Sequence, residues 1–233
     1  KMVDDIESAN ARLTQAKRLS DIGMFASIIA HELRNPLAVI TLAIANIRNK
    51  IDLKPAQRSV ENIEKKLLES NQIIDNLLSF SKIKEPQKKT VLIGKLIVDS
   101  LRTSRQRAAK PGIRAVHSLD SLAGVKVEID PVQMAEVFVN IMNNAFDAID
   151  KKGVVEVRAR IAAKKLYVIV RDTGTGIDEK SMKNLFEPFF TTKPKGTGLG
   201  LPVSLQIVRL HGGEIKVRSE TGKGTEFEIV LPV

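Results

Sequence analysis

The chain has no cysteine and no tryptophan, and only one tyrosine (Tyr167) and eight phenylalanines among 233 residues. Without cysteine there is no disulfide scaffold, no thiolate nucleophile and no cysteine-built zinc site. The composition suits a reducing compartment. With so few aromatics, any core must be aliphatic. Long apolar runs are also missing. The longest uncharged helical stretch, Asn35 to Ile47, has 13 residues, where a membrane span needs about 20. The first residues carry no secretory signal pattern. They are already in helical register, and the expectation is a segment of a longer protein.

Hydrophobic residues make up 43% and charged residues 27%, the balance of a folded chain and not of a disordered one. Thirty-seven basic against 27 acidic side chains give a net charge of +10, which on its own suggests an anionic partner. The excess is even, however. Residues 1–89 hold 15 basic and 11 acidic side chains, and residues 90–233 hold 22 and 16. The densest basic stretch, Arg102 to Arg114, has no interleaved aromatics. Nucleic acid is therefore not an expected partner.

Composition changes near residue 85. Before it, apolar spacing reads as one long helix ending near Ile47, then a break at 51–55, then a second helix from about Ala56 to Ile83. Residues 3–22 carry a loose heptad. Two helices joined by a short break form an antiparallel hairpin. They cannot enclose a core alone, so dimerisation to a four-helix bundle is expected. Residues 84–89 read as a linker. Helices are then predicted near 93–109, 131–150 and 201–211. Strands are predicted near 113–118, 125–129, 153–162 and 165–172, with a closing hairpin near 214–231. The 25-residue loop 174–198 has glycines at both ends, as a mobile lid would.

Five constellations carry chemistry. The first is His31-Glu32-Leu33-Arg34-Asn35-Pro36. A neutral imidazole is a nucleophile, and a carboxylate on one ring nitrogen raises the basicity of the other. Asn35 shares the face of His31 at i+4, and Pro36 costs about 3 kcal/mol inside a helix, yet the apolar period runs straight through it. In the second, Asn140, Asn144 and Asp147 stand at i, i+4 and i+7 on one helix face. That stripe is either a solvated face or a set of oxygen donors for a hard cation such as Mg²⁺. The third, Asp172-Thr-Gly174-Thr-Gly176, follows a strand. The fourth, Gly196-Thr197-Gly198-Leu199-Gly200, opens a helix and offers N–H groups to an anion. Its spacing is neither that of a P-loop nor that of a dinucleotide fingerprint. The fifth, Phe186-Glu-Pro-Phe189-Phe190-Thr-Thr-Lys193, lies inside the loop and is either a satellite core or a grip for another surface.

In this order and at these separations the five blocks resemble the H, N, G1, F and G2 boxes of the sensor histidine kinases of two-component signalling, over roughly residues 20–233. The resemblance implies an α+β chain. An N-terminal hairpin forms a dimeric four-helix bundle, and a C-terminal α/β sandwich of the gyrase, Hsp90, histidine kinase and MutL type binds ATP. The implied division is a signal-transmitting coiled-coil helix at 1–19, a dimerisation and phosphotransfer domain at 20–84, a linker at 85–90 and a catalytic domain at 91–233. His31 would be the phosphoacceptor and Glu32 the carboxylate that activates it. Asn144 would hold Mg²⁺, and Asp172 would accept from the adenine amino group. Gly196, Gly198 and Gly200 would form the lid hinge and phosphate cradle, and Gly174, Gly176, Thr197 and Leu199 would bind the nucleotide with them. Asn140, Asp147 and Lys193 would also line the nucleotide. Asp147 stands where the related ATPases often place Asp. The expected partners are a second copy, a response-regulator receiver domain and an upstream sensor domain. The expected setting is the cytoplasmic portion of a protein that is either soluble or membrane-anchored. Asn35 would align water in a regulator phosphatase reaction. An ATPase that drives conformational change is a rival reading, but it needs a carboxylate where Asn140 stands, and an amide is a poor base. A non-reacting scaffold is a second rival, and intact His31 and Asn144 argue against it.

Overall fold

A computed structural model describes residues 30, 33–45, 47, 57–81, 85–193 and 197–233. The chain divides into two units, Lys1–Ile83 and Lys84–Val233. The expected helix over 1–19, the turn at 49–55, His31, Glu32 and Gly196 lie outside the described residues.

In the first unit, residues 33–45 form helix α1 and Gln57–Ser81 form helix α2. The α1 helix passes through Pro36 without interruption. Ala30 and Ile74 are buried together, with Leu37 packed against them. Ala30 and Ile74 stand about equally far from the break, so the two helices run antiparallel as a hairpin. Thr41 donates its hydroxyl to the Leu37 carbonyl at 2.8 Å. Much apolar surface is left over. Leu33, Val39, Ile40, Leu42, Ile47, Ile63 and Leu68 are exposed, Val39 at 68% and Leu68 at 70%.

The second unit is a two-layer sandwich. Strands β2 (Ile113–Ser118), β4 (Gly153–Ala162), β5 (Lys165–Asp172), β6 (Glu214–Glu220) and β7 (Gly224–Pro232) form one sheet in the order β2-β4-β5-β7-β6. Only the β2–β4 pair is parallel. A small antiparallel pair, β1 (Lys89–Leu92) with β3 (Lys126–Ile129), stands apart. Helices α3 (Ile93–Ala108), α4 (Pro131–Asp147) and α6 (Gly200–Leu210) complete the layer, with the short α5 (Glu179–Lys183) inside the long loop.

Period-2 and period-3.6 patterns meet in the core. Val155, Val157 and Ala159 of β4 and Leu166, Val168 and Val170 of β5 are buried on one sheet face. Ile93, Ile97 and Leu101 of α3 and Val137, Phe138, Ile141 and Met142 of α4 bury against them. Helix α4 starts sharply because the Asp130 side chain accepts from the N–H groups of Val132 and Gln133, with Pro131 in the first turn. The second Asp130 oxygen accepts from Gln87 N–H at 2.9 Å, and the Asp130 N–H donates to buried His211 Nε2 at 3.0 Å. His211 therefore carries its proton on Nδ1, which donates to the Ile207 carbonyl. One residue thus joins the segment before β1, the start of α4 and the end of α6.

Three elements depart from the sequence reading. Strand β1 falls at the end of the stretch read as linker, and it exists because β3 supplies its hydrogen bonds. Helix α4 stops at Asp147, not near 150, because the Lys110 ammonium takes the Phe146 and Ile149 carbonyls and Thr175 N–H takes that of Ala148. The long loop holds one helical turn, α5, capped by Asp178 through Ser181 N–H at 2.9 Å. Among the described residues no helix is long and apolar enough to cross a membrane.

Candidate nucleotide site

Helix α4 carries the polar stripe. Its opposite face supplies Val137, Phe138, Ile141 and Phe146 to the core, which fixes the rotation of Asn140, Asn144 and Asp147. Lys193, from the loop, reaches that stripe. Its ammonium donates to Asn144 Oδ1 at 2.7 Å and to Asp147 Oδ2 at 3.1 Å. Arg107 of α3 approaches the other Asp147 oxygen at 3.6 Å. All these charged partners are partly exposed, so each pair is worth about 0–1 kcal/mol and is readily displaced. The oxygen of Asn144 already accepts a cation. An amide oxygen beside a carboxylate is a fitting donor set for Mg²⁺, which keeps most of its water and phosphate ligands. Among the described residues no cluster of three or more His, Asp or Glu side chains forms an all-protein metal cage.

Asn140, one turn earlier, donates Nδ2–H to Ser204 Oγ of α6 at 2.9 Å. Its oxygen end lies against Gly200. A Cβ at Gly200 would run into the Asn140 amide, so a larger residue there would push that amide aside. Gly198 takes φ of +68°, and a Cβ there would run into the Phe189 backbone, which closes the position to other residues. The Phe189 N–H donates to the Gly198 carbonyl at 3.0 Å, tying the aromatic block to the start of α6. Phe189 is 54% exposed, while Phe186 and Phe190 are half-buried. The block is thus part support and part open surface. Thr197 is half-buried, Leu199 is buried, and no side chain caps the first turn of α6.

Asp172 ends β5 and is only 2% exposed. Burial pushes its carboxyl up from the ordinary carboxylate range. N–H groups of Gly174 and Thr225 and the nearby Lys193 charge pull the other way without cancelling the rise. Gly174 N–H donates to Asp172 Oδ1 at 2.7 Å. Gly174 packs on the Ala148 carbonyl and Gly176 on that of Glu220. A buried carboxylate with one oxygen so engaged keeps acceptor capacity for a further donor.

Asn144, Asp147 and Lys193 are therefore linked by direct contacts, while Asn140, one turn earlier on α4, meets Ser204 and Gly200 of α6. Asn35 is exposed on α1 of the other unit. Sequence reading passed over Ser204, Arg107 and the Asp130–His211 pair. The sign of Ser204 was its place four residues after Gly200, on the same helix face. Arg107 had no local sign.

Comparison with known proteins agrees with this arrangement. Residues 21–86 match the His Kinase A (phospho-acceptor) domain, and residues 129–233 match the histidine kinase-, DNA gyrase B- and HSP90-like ATPase family. The chain is 31% identical to the signal transduction histidine-protein kinase AtoS of Escherichia coli over 95% of its own length and 36% of that protein's. It is 30% identical to sporulation kinase C of Bacillus subtilis over 99% of its length and 54% of that protein's. It thus spans about a third to a half of these relatives. The crystal structure of the histidine kinase ThkA in complex with the response regulator TrrA superimposes with a TM-score of 0.68 at 24% identity. That likeness covers 98% of this chain and 66% of that one, and it speaks to fold. With a phospho-acceptor hairpin followed by an ATPase sandwich, the chain belongs to the sensor histidine kinases of two-component systems.

Proposed function

We propose that the chain is an ATP-dependent protein-histidine kinase that phosphorylates itself on His31 and passes the phosphoryl group to an Asp of a response-regulator receiver domain. The observation that carries this reading is the Lys193 ammonium lodged between Asn144 and Asp147, next to buried Asp172. It marks a place where positive charge is held beside an acceptor suited to adenine. Adenine would donate its amino N–H to Asp172. The phosphates would lie against the N–H groups of the lid and the open first turn of α6. Asn144 would hold Mg²⁺, which offsets phosphate charge when bound. Asp147 and Lys193 would exchange their pairing for contacts to metal and phosphate.

In the transfer, the bond from the γ-phosphorus to the bridging oxygen breaks and ADP leaves. A new bond forms to a ring nitrogen of His31, whose other nitrogen gives its proton a partner in Glu32. Positioning and electrostatics dominate such reactions. The amide of Asn140 offers no base for water, which keeps hydrolysis slow. The working form would be a homodimer through the helical hairpin. The test is incubation with γ-labelled ATP and Mg²⁺. The label should be acid-labile and base-stable, and His31→Gln should abolish it while ATP binding survives. Full labelling of that variant overturns the assignment.

A regulator phosphatase activity follows from Asn35, one turn beyond His31 in sequence and exposed. An amide can hold an in-line water without acting as a base. Asn35→Ala should lose most phosphate release from a phosphorylated regulator, measured with ADP and Mg²⁺, and keep at least part of its His31 labelling. Equal loss of both activities assigns Asn35 to structure.

A further inference from the structure

Ser204 has no place in the reading above, yet it is 1% exposed and takes a side-chain hydrogen bond from Asn140. It follows Gly200 by one turn of α6, so both face α4. The Asn140 amide lies along that turn, with Nδ2 at Ser204 Oγ, 2.9 Å away, and Oδ1 the atom nearest to where a Gly200 side chain would begin. The oxygen is therefore the end nearer the start of α6, and the nitrogen is the end bonded one turn further on. A serine hydroxyl accepts through its oxygen lone pairs. In this structure that oxygen takes the Asn140 N–H. Asn144, one turn along α4, also presents Oδ1 to a cation.

The orientation has chemical content. An amide is a donor at one end and an acceptor at the other. With its NH₂ toward the phosphates, Asn140 would bind a phosphate oxygen and repel a metal. With its oxygen there, it attracts Mg²⁺ or a metal-bound water and gives the bare phosphate nothing. We propose that Ser204 is a positioning residue that holds the Asn140 amide oxygen-first toward the nucleotide site, so that nucleotide affinity depends on a divalent cation. The proposal rests on the reading of Asn144 as the Mg²⁺ ligand.

The test is calorimetric binding of ATP to the whole chain, once with Mg²⁺ and once with EDTA, together with nuclear magnetic resonance of the Asn140 side-chain NH₂ in the nucleotide-free protein. Ser204→Ala should lower the ratio of the two affinities about fivefold, the effect of one neutral hydrogen bond, with the EDTA affinity unchanged or higher. The Asn140 NH₂ protons should exchange faster. In an Asn140→Asp background, Ser204→Ala should leave the ratio unchanged, because a carboxylate presents oxygen in either orientation. Equal loss with and without metal, or equal loss in both backgrounds, makes Ser204 a packing residue and overturns the proposal. If Ser204→Ala leaves the ratio intact while Asn144→Ala collapses it, the proposal fails and the metal reading stands. If Asn144→Ala also leaves it intact, the metal reading fails and takes the proposal with it.

Discussion

Asp172 works against the stability of its own domain. Its buried carboxyl has a raised pKa, so the folded state takes up this proton more readily than the unfolded one does. Stability from this group is therefore fully present below the ordinary Asp value and is lost as pH rises through the raised one. Asp172→Asn removes that loss. The variant should melt at a temperature equal to or above the parent's near neutral pH, with the difference shrinking as pH falls toward 4, and scanning calorimetry checks this. ATP binding should nevertheless weaken by about tenfold or more, the scale of a hydrogen bond to a charged group. ATP should also be strongly preferred over GTP, because guanine offers a carbonyl acceptor where adenine offers an amino donor. At this scale, legibility followed local chemistry. Asp172 could be read because a strand pattern and two glycines adjoin it. The bond from Asn140 to Ser204 crosses 64 positions, and nothing nearby in sequence advertises it.

The β4–β5 hairpin turns through Ala163 and Lys164, at φ of +48° and +56°. Both are left-handed, which makes a type I′ turn of residues ill-suited to it. Each pays about 1 kcal/mol in backbone strain. Ala163→Asn with Lys164→Gly should stabilise the protein by about 1 kcal/mol in urea unfolding, with kinase activity unchanged because the turn lies outside the nucleotide site. An unchanged midpoint would show that cross-strand packing already absorbs the strain. The hairpin itself was legible in the alternation of residues 153–172. Strand β1 was not, because four residues ending a polar stretch have no period to show and pair only with β3, far along the chain. The single turn α5 was hidden for the same reason. Its start depends on the Asp178 cap and not on an apolar stripe.

At the scale of the molecule, the helical hairpin leaves seven large aliphatic side chains exposed among its described residues, from Leu33 to Leu68. A second copy in a four-helix arrangement would cover such a surface. Light scattering at micromolar concentration should return the mass of a dimer, and a monomer would refute it. The amphipathic period made this surface readable. The five motif blocks, spread over 170 positions, were also readable in order. For the four blocks of the second unit, the meeting place was not a property of any one block. It arises because α4 and α6 pack on the same sheet face and the loop returns Lys193 to α4.

The placement of the lid has a consequence in polymer terms. Gly174 is fixed to the end of β5, Gly198 adjoins the start of α6, and β5 and β7 are neighbours in the sheet. The sandwich therefore holds both ends of the loop in place whatever lies between them. Closing a flexible loop costs only about 0.6 kcal/mol more for each doubling of its length. The stretch between these glycines can therefore be lengthened or shortened at little closure cost, provided that half-buried Phe186 and Phe190 keep their places. The segment proposed to meet the nucleotide is thus one whose length the fold hardly constrains, and it is free to drift toward a different lid speed or a different docking surface.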